Sequence, residues 1–237
     1  MRVKAFPGAP RYDPDMSVEP RFARIAAAIG DPTRAHMLSA LMAGERRPAG
    51  EIAQAAGISA STASQHLAML AREGLVSVEA RGRHRYFRIH DEDVARALEA
   101  LSLVAERAAA GEKWLRAPYR PLKYARTCYR HLAGELGVRL LEGMLSRKLL
   151  VPSDRGFGLT PGSCTWLRDL GVEANSVRGE RYAYPCLDWS ERRDHLGGRL
   201  ATALLDRFIE RRWLARATHS RALKLTPRGR QSLLDLL

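Results

Sequence analysis

Gly57-Ile58-Ser59-Ala60-Ser61-Thr62-Ala63-Ser64-Gln65-His66-Leu67-Ala68-Met69-Leu70 is the stretch on which the fold of this chain turns. Gly57 supplies a tight turn, and Ser59 brings a side-chain oxygen to the free amides of the helix that follows. From Ala60 to Arg72 that helix puts Ala63, Leu67 and Leu70 on one stripe, while Ala60, Ser61, Ser64, Gln65 and Ala68 make a small, polar opposite side. A face of that kind fits a DNA major groove. Gln65 can pair with an adenine edge, and the hydroxyls of Ser59, Ser61, Thr62 and Ser64 can meet phosphates. His66 stands at the border of this set. The helix alone reads equally well as a core helix with a solvated side, so its neighbours decide.

Downstream, Leu75 to Glu79 alternates as a strand does, Arg81-Gly82-Arg83 makes a hairpin tip, and Arg85 to Ile89 returns. This β-wing gathers Arg81, Arg83, His84, Arg85 and Arg88, a concentration of cations that suits phosphates or a minor groove. Upstream, Phe22, Ile25, Ala26 and Ile29 recur at helical spacing up to Gly30, and Asp31-Pro32 starts a second helix with Met37, Leu38, Leu41 and Met42 on its apolar face. A loop over Gly44 to Pro48 then leads to a short helix, Glu51 to Ala56, and so to the Gly57 turn. Helix, turn, helix and basic wing together outweigh the bland reading of any one part.

Three stretches resemble the ArsR/SmtB family of winged helix-turn-helix repressors: Ile29 to Arg34, Gly57 to Val76 and the Arg81 to Tyr86 wing. The likeness covers roughly residues 20 to 110 and implies a homodimer on an inverted repeat of double-stranded DNA, released when an effector binds. It also implies that Val94, Leu98, Leu101 and Val104/Ala105, after the acidic Asp91-Glu92-Asp93, form a dimer seam with the Phe22 to Ile29 helix. The family's metal sites are absent. Where closely spaced cysteines would stand, this chain has Arg47-Pro48-Ala49-Gly50-Glu51, and no His lies between Asp91 and Gly111.

Residues 131–150 align without gaps on 195–214, with eight identities in twenty. In each copy a hairpin follows, and the register returns at Leu159-Thr160-Pro161 and Leu225-Thr226-Pro227, where Thr caps and Pro begins a helix. The short helices end in Trp166-Leu167…Leu170 and Leu233…Leu236. Each repeat is expected to run long helix, hairpin, short helix, with Gly134 and Gly198 letting backbones approach. Cys128 and His131, three apart, are read on one helical face; with Cys186 and His195 they make a candidate metal site if the repeats pack about a local axis. The competing readings are an organic-effector pocket of Tyr129, His131, Trp166, Tyr184, Trp189 and Arg193, a Cys128–Cys186 redox switch, and a plain dimerisation or spacer module.

A net charge of +13 over 237 residues favours a polyanionic partner. Three cysteines are too few for a disulfide framework and suit a reducing compartment. There is no apolar run of membrane-spanning or signal-peptide length, so a cytoplasmic protein with no membrane partner is expected. No glycine-rich phosphate loop, nucleophile elbow or HExxH motif points to an enzyme, although thiol- or metal-dependent chemistry in the second half is the rival reading. The expected architecture is mainly α with small β-wings: a tail over 1–17 with Met16 as an alternative start, a winged helix-turn-helix domain over 18–112, and a duplicated domain over 113–237 with repeats near 124–172 and 188–237. No cofactor is required, and a metal ion or small organic effector is accommodated.

Overall fold

The computed structural model describes residues 20–108, 120–173, 182–218 and 220–233. The tail over 1–17, the 112/113 boundary and Leu236 lie outside them. The first half runs α1 (Pro20–Ile29), α2 (Pro32–Leu41), β1 (Arg47–Pro48), α3 (Ala49–Ala56), α4 (Ala60–Arg72), β2 (Val76–Arg81), β3 (His84–Ile89) and α5 (Glu92–Ala108). Local chemistry sets these boundaries. The Asp31 carboxylate accepts the Arg34 N–H at 2.9 Å ahead of α2, Gly57 ends α3 at φ +68, and Ser59 Oγ accepts the Thr62 N–H at 3.1 Å ahead of α4. Met37, Leu38, Leu41, Ile52, Leu67, Leu70 and Ile89 are fully buried in one core.

One departure is β1. The segment expected as loop pairs Arg47 with Phe87 and Pro48 with Tyr86, making a three-stranded sheet in the order β1-β3-β2. Proline is tolerated there because an edge strand does not need its N–H. α3 accordingly begins at Ala49, two residues before the expected Glu51.

The second half runs α6 (Arg120–Tyr124), β4 (Arg126–Cys128), β5 (His131–Ala133), α7 (Glu135–Ser146), β6 (Leu150–Ser153), β7 (Gly156–Leu159) and α8 (Pro161–Leu170). It continues with β8 (Tyr184–Leu187), β9 (Asp194–Gly197), α9 (Arg199–Glu210), β10 (Leu214–Arg216), β11 (Leu223–Leu225) and α10 (Pro227–Leu233). The order hairpin, helix, hairpin, helix thus occurs twice, and matched positions share unusual backbone. Gly134 (φ +84) and Gly198 (φ +97) precede α7 and α9, and Lys148 (φ +55) and Arg212 (φ +58) follow them. Thr160 and Thr226 each donate a hydroxyl to those residues' carbonyls at 2.8 Å.

The leading hairpins correct the helical reading of 131–134 and 195–198. Cys128 and His131 do not share a helical face; they are cross-strand partners in β4–β5, with Tyr129 (φ +58) and Arg130 as the turn. α7 cannot start earlier than Glu135. Gly134 is in the left-handed region, and a Cβ on it would lie 2.6 Å from the Lys123 carbonyl oxygen. The close approach that this glycine permits is therefore to the C-terminal end of α6, not between long helices.

A second core of Leu136, Leu140, Met144, Leu150, Leu167, Leu200, Leu204, Phe208 and Leu233 unites these elements. The two halves then meet over a polar seam. Thr127 Oγ1 donates to the Met42 carbonyl at 3.3 Å, Arg216 pairs with Glu45 at 2.7 Å, and Arg221 pairs with Glu99. Gly44 (φ +81) sits under the β4–β5 turn so closely that a Cβ would fall 2.0 Å from the Tyr129 carbonyl oxygen.

Candidate functional site

On α4, the residues predicted to face DNA are on the surface: Ser59, Ala60, Ser61, Thr62, Ser64, Gln65 and Ala68 are exposed, opposite the buried Ala63, Leu67 and Leu70. Their polar groups differ in readiness. Ser59 Oγ and Thr62 Oγ1 lie 2.9 Å apart, and Ser64 donates to the Ala60 carbonyl at 2.9 Å, so its hydroxyl must rotate to reach a phosphate. His66 turns toward the body, half-buried with Nδ1 3.5 Å from the Arg34 guanidinium, which is itself held by the Ala27 and Ala28 carbonyls.

α4 leads through a tight turn into the wing, whose tip Arg81-Gly82-Arg83-His84-Arg85 is exposed throughout. Arg81 is steered by Glu79 at 2.8 Å and lies 5.7 Å over the Tyr86 ring. Its hydrogen bond, with the nearby Arg46, holds the Glu79 carboxyl below its ordinary value. Arg83 Nε approaches His84 Nε2 at 3.3 Å. Elsewhere in this half, Phe22 of α1 and Leu101 and Val104 of α5 are exposed by 68%, 48% and 60%, far more than large apolar groups in a core. A groove of about 210 Å³ between α2 and α5, lined by Leu38, Met42, Leu98 and Leu101, continues this apolar surface.

In the second half the structure brings Cys128, His131, Cys186 and His195 together, each offering one donor atom with all four atoms within 4.8 Å of one another. Two hairpins do this. Cys128 faces His131 across β4–β5, and Cys186 faces His195 across β8–β9. The two sulfurs are 4.0 Å apart, and both imidazoles are buried. Burial, with the charges of His195 and Arg130, pushes His131 down to about 3. Burial acts the same way on His195, but Asp188 and Cys128 outweigh it and push that imidazole up to about 9. The hydrogen bond between the two cysteines and burial raise the Cys128 thiol.

The residues around the cluster are the ones sequence reasoning missed. Asp188, fully buried, lies 3.4 Å from His195 Nδ1 and 3.0 Å from Arg126, and accepts the Gly134 N–H at 2.6 Å. Against the penalty of burial, these partners hold its carboxyl far below the usual range. Arg126, also fully buried, lies 4.2 Å from the Trp189 ring and within 3.9 Å of Glu99 on α5. One signal was present. In Asp188-Trp189-Ser190-Glu191 an Asp starts a turn, and its Oδ1 indeed accepts the Ser190 and Glu191 N–H groups.

The six residues read as an organic-effector pocket are dispersed. Tyr129 and His131 line a cavity of about 410 Å³ with Arg88, His90, Arg130 and Arg199, and the Tyr184 ring is 6.0 Å from His131. Trp189 is instead buried against Arg126, Trp166 packs on the second core, and Arg193 pairs with Glu142 at 2.7 Å on the surface. Large aromatics here serve as filling for a small domain and a lid over a buried cation.

A helix-turn-helix domain family is matched over residues 29–79. The chain is 38% identical over 215 residues to the uncharacterized HTH-type transcriptional regulator YdfF of Bacillus subtilis, a match covering 90% of this chain and 95% of that protein. It is 38% identical over 105 residues to the HTH-type transcriptional regulator CmtR of Mycobacterium tuberculosis, covering 40% of this chain and 88% of that one. Among solved structures, the homodimeric winged helix-turn-helix domain of Mb0332 from Mycobacterium bovis, a possible ArsR-family regulator, is 34% identical over 39% of this chain and 85% of its own, at a TM-score of 0.36. Matched along nearly the whole of one HTH-type regulator and along most of a second, shorter one, the chain belongs to the ArsR family of winged helix-turn-helix transcriptional regulators.

Proposed function

We propose that the protein is a homodimeric repressor that occupies an inverted-repeat operator and changes its grip on DNA when an effector binds its second half. The exposed, small-residue face of α4, continuous with the arginine-tipped wing, carries this reading. Ala60, Ser61, Ser64 and Ala68 let the helix lie close to base edges, Gln65 reads them, and Ser59 and Thr62 meet the backbone. Arg81, Arg83 and Arg85 reach the flanking phosphates or minor groove. His66, turned toward Arg34, sets the seating of α4 on the body more than it reads bases.

A second copy fits the apolar surface of α1 and α5, because Phe22, Leu101 and Val104 are exposed and Leu101 also lines the α2–α5 groove. The C-terminal repeats, built by duplication, serve as the controlling half. Their route to DNA is the buried charge pairing of Arg126 and Arg221 with Glu99, which lies on α5. A mobility-shift titration on the protein's own promoter tests the reading. Specific binding at moderate salt supports it, and equal affinity for a scrambled duplex sinks it.

A further inference from the structure

We propose that Cys128, His131, Cys186 and His195 form a four-donor site for a thiophilic divalent cation, of the Zn²⁺ class, clamped between the two hairpins. Their donor atoms lie within 4.8 Å of one another. A tetrahedral ion with bonds of about 2.0–2.3 Å needs donors about 3.3–3.8 Å apart, so a contraction of at most about 1.5 Å closes the shell. The Cys128–Cys186 sulfur separation of 4.0 Å is already near that value.

A second, independent observation points to a ligand. His131 Nδ1 and His195 Nε2 are buried and make no hydrogen bond among the described residues, on side chains that are 5% and 0% exposed. Interiors seldom leave such atoms unpaired. The Asp188 carboxylate, 3.4 Å from His195 Nδ1, is placed as the outer partner that orients a ligating imidazole and leaves Nε2 for the ion. Two sulfurs and two nitrogens select zinc, cadmium or cobalt over magnesium or calcium. A Cys128–Cys186 disulfide explains less: 4.0 Å is about twice an S–S bond length, and it would leave His131 Nδ1 and His195 Nε2 unpaired.

His131 lines the 410 Å³ cavity between the halves, which gives the ion an entry path. Ligation through its Nδ1 puts the imidazole proton on Nε2, which now accepts the Gly198 N–H at 3.1 Å, so the ion displaces that contact at the start of α9. On the far side, Asp188, Arg126 and Glu99 link His195 to α5. Any control of DNA binding by the ion rests on the repressor reading above; the site itself does not.

The test uses the full-length protein, reduced and stripped by a chelator, titrated with Co²⁺. Expected are one equivalent per chain, a near-ultraviolet thiolate-to-cobalt charge-transfer band, and the intense visible bands of tetrahedral cobalt, all abolished by Zn²⁺. Cys128→Ser/Cys186→Ser removes the charge-transfer band, whereas Cys164→Ser, at the exposed cysteine of α8, keeps it. A six-coordinate cobalt spectrum, or a charge-transfer band that survives the double substitution, overturns the site. X-ray absorption at the zinc edge of the wild-type protein avoids any folding defect of the variants: two sulfur and two nitrogen neighbours support the site, and a shell without sulfur overturns it.

Operator binding by the same stripped and zinc-loaded samples separates the two claims. A change of about tenfold in Kd is expected. A filled tetrahedral site with unchanged operator affinity removes the control role and leaves the site standing. Absence of the tetrahedral signal in a protein whose operator binding responds to some other effector overturns the site and leaves the repressor.

Discussion

Gln65 is the side chain on α4 with two donors and two acceptors free to match one base edge, because it is exposed and long enough to reach past the small residues around it. Gln65→Ala should weaken operator binding by about 1–3 kcal/mol and leave non-specific binding nearly unchanged, as read by anisotropy on operator and scrambled duplexes. Arg83→Ala should instead lower affinity for both duplexes and reduce the slope of log K against log salt by about one. Buried charge is a different matter. Arg126→Met removes the cation that neutralises Asp188 at 3.0 Å, and a broken buried pair destabilises by about 3–5 kcal/mol, measurable by urea unfolding. Gly44→Ala should lose about 1–3 kcal/mol on the same measurement, since φ +81 disfavours a side chain and the new Cβ meets the Tyr129 carbonyl oxygen.

At the scale of elements, the N-cap of α2 is a prediction in pH. The Arg34 amide hydrogen bond holds the Asp31 carboxyl below its ordinary 3.8. A depressed carboxyl contributes stability that is present above its unfolded pKa and lost as pH falls through the folded value. Asp31→Ala should therefore lower Tm at neutral pH, and the gap from wild type should close once the pH falls below that range. Elements of this kind were legible because their signals are local: Asp31-Pro32, the Gly57 turn and the Ser59 cap each act within a few residues. The hairpins β4–β5 and β8–β9 were not, since strands of three or four residues carry too few positions to alternate. Repeats 131–150 and 195–214 read as helix from their first residue because the leucine spacing of α7 and α9 continues backward through Leu132 and Leu196, which are strand residues buried in the same core. The same four cysteines and histidines were named from sequence with the wrong geometry. Cross-strand pairing does by long-range contact what a helical face does by spacing.

Across the whole molecule, the second half is fastened to the first at its leading hairpin, by Thr127 of β4 on Met42 and by the Tyr129 turn on Gly44. The pairing of Arg126 and Arg221 with Asp188 and Glu99 was not legible in the sequence, because a lone charge looks solvated until a partner distant in the chain is placed beside it. Dimerisation belongs to this scale as well. Leu101→Glu/Val104→Glu places charges on the exposed apolar side of α5 and should yield a monomer by sedimentation, with operator affinity reduced by well over tenfold because both half-sites are no longer held together. A variant that remains dimeric would move the interface elsewhere. The repressor reading as a whole stands on one comparison: anisotropy titration of the wild-type chain and Gln65→Ala on the promoter duplex and its scrambled counterpart at moderate salt. Expected is tight, sequence-dependent binding by the wild type that falls toward the non-specific level in Gln65→Ala with the salt slope preserved. Equal affinity of the wild type for both duplexes would contradict it.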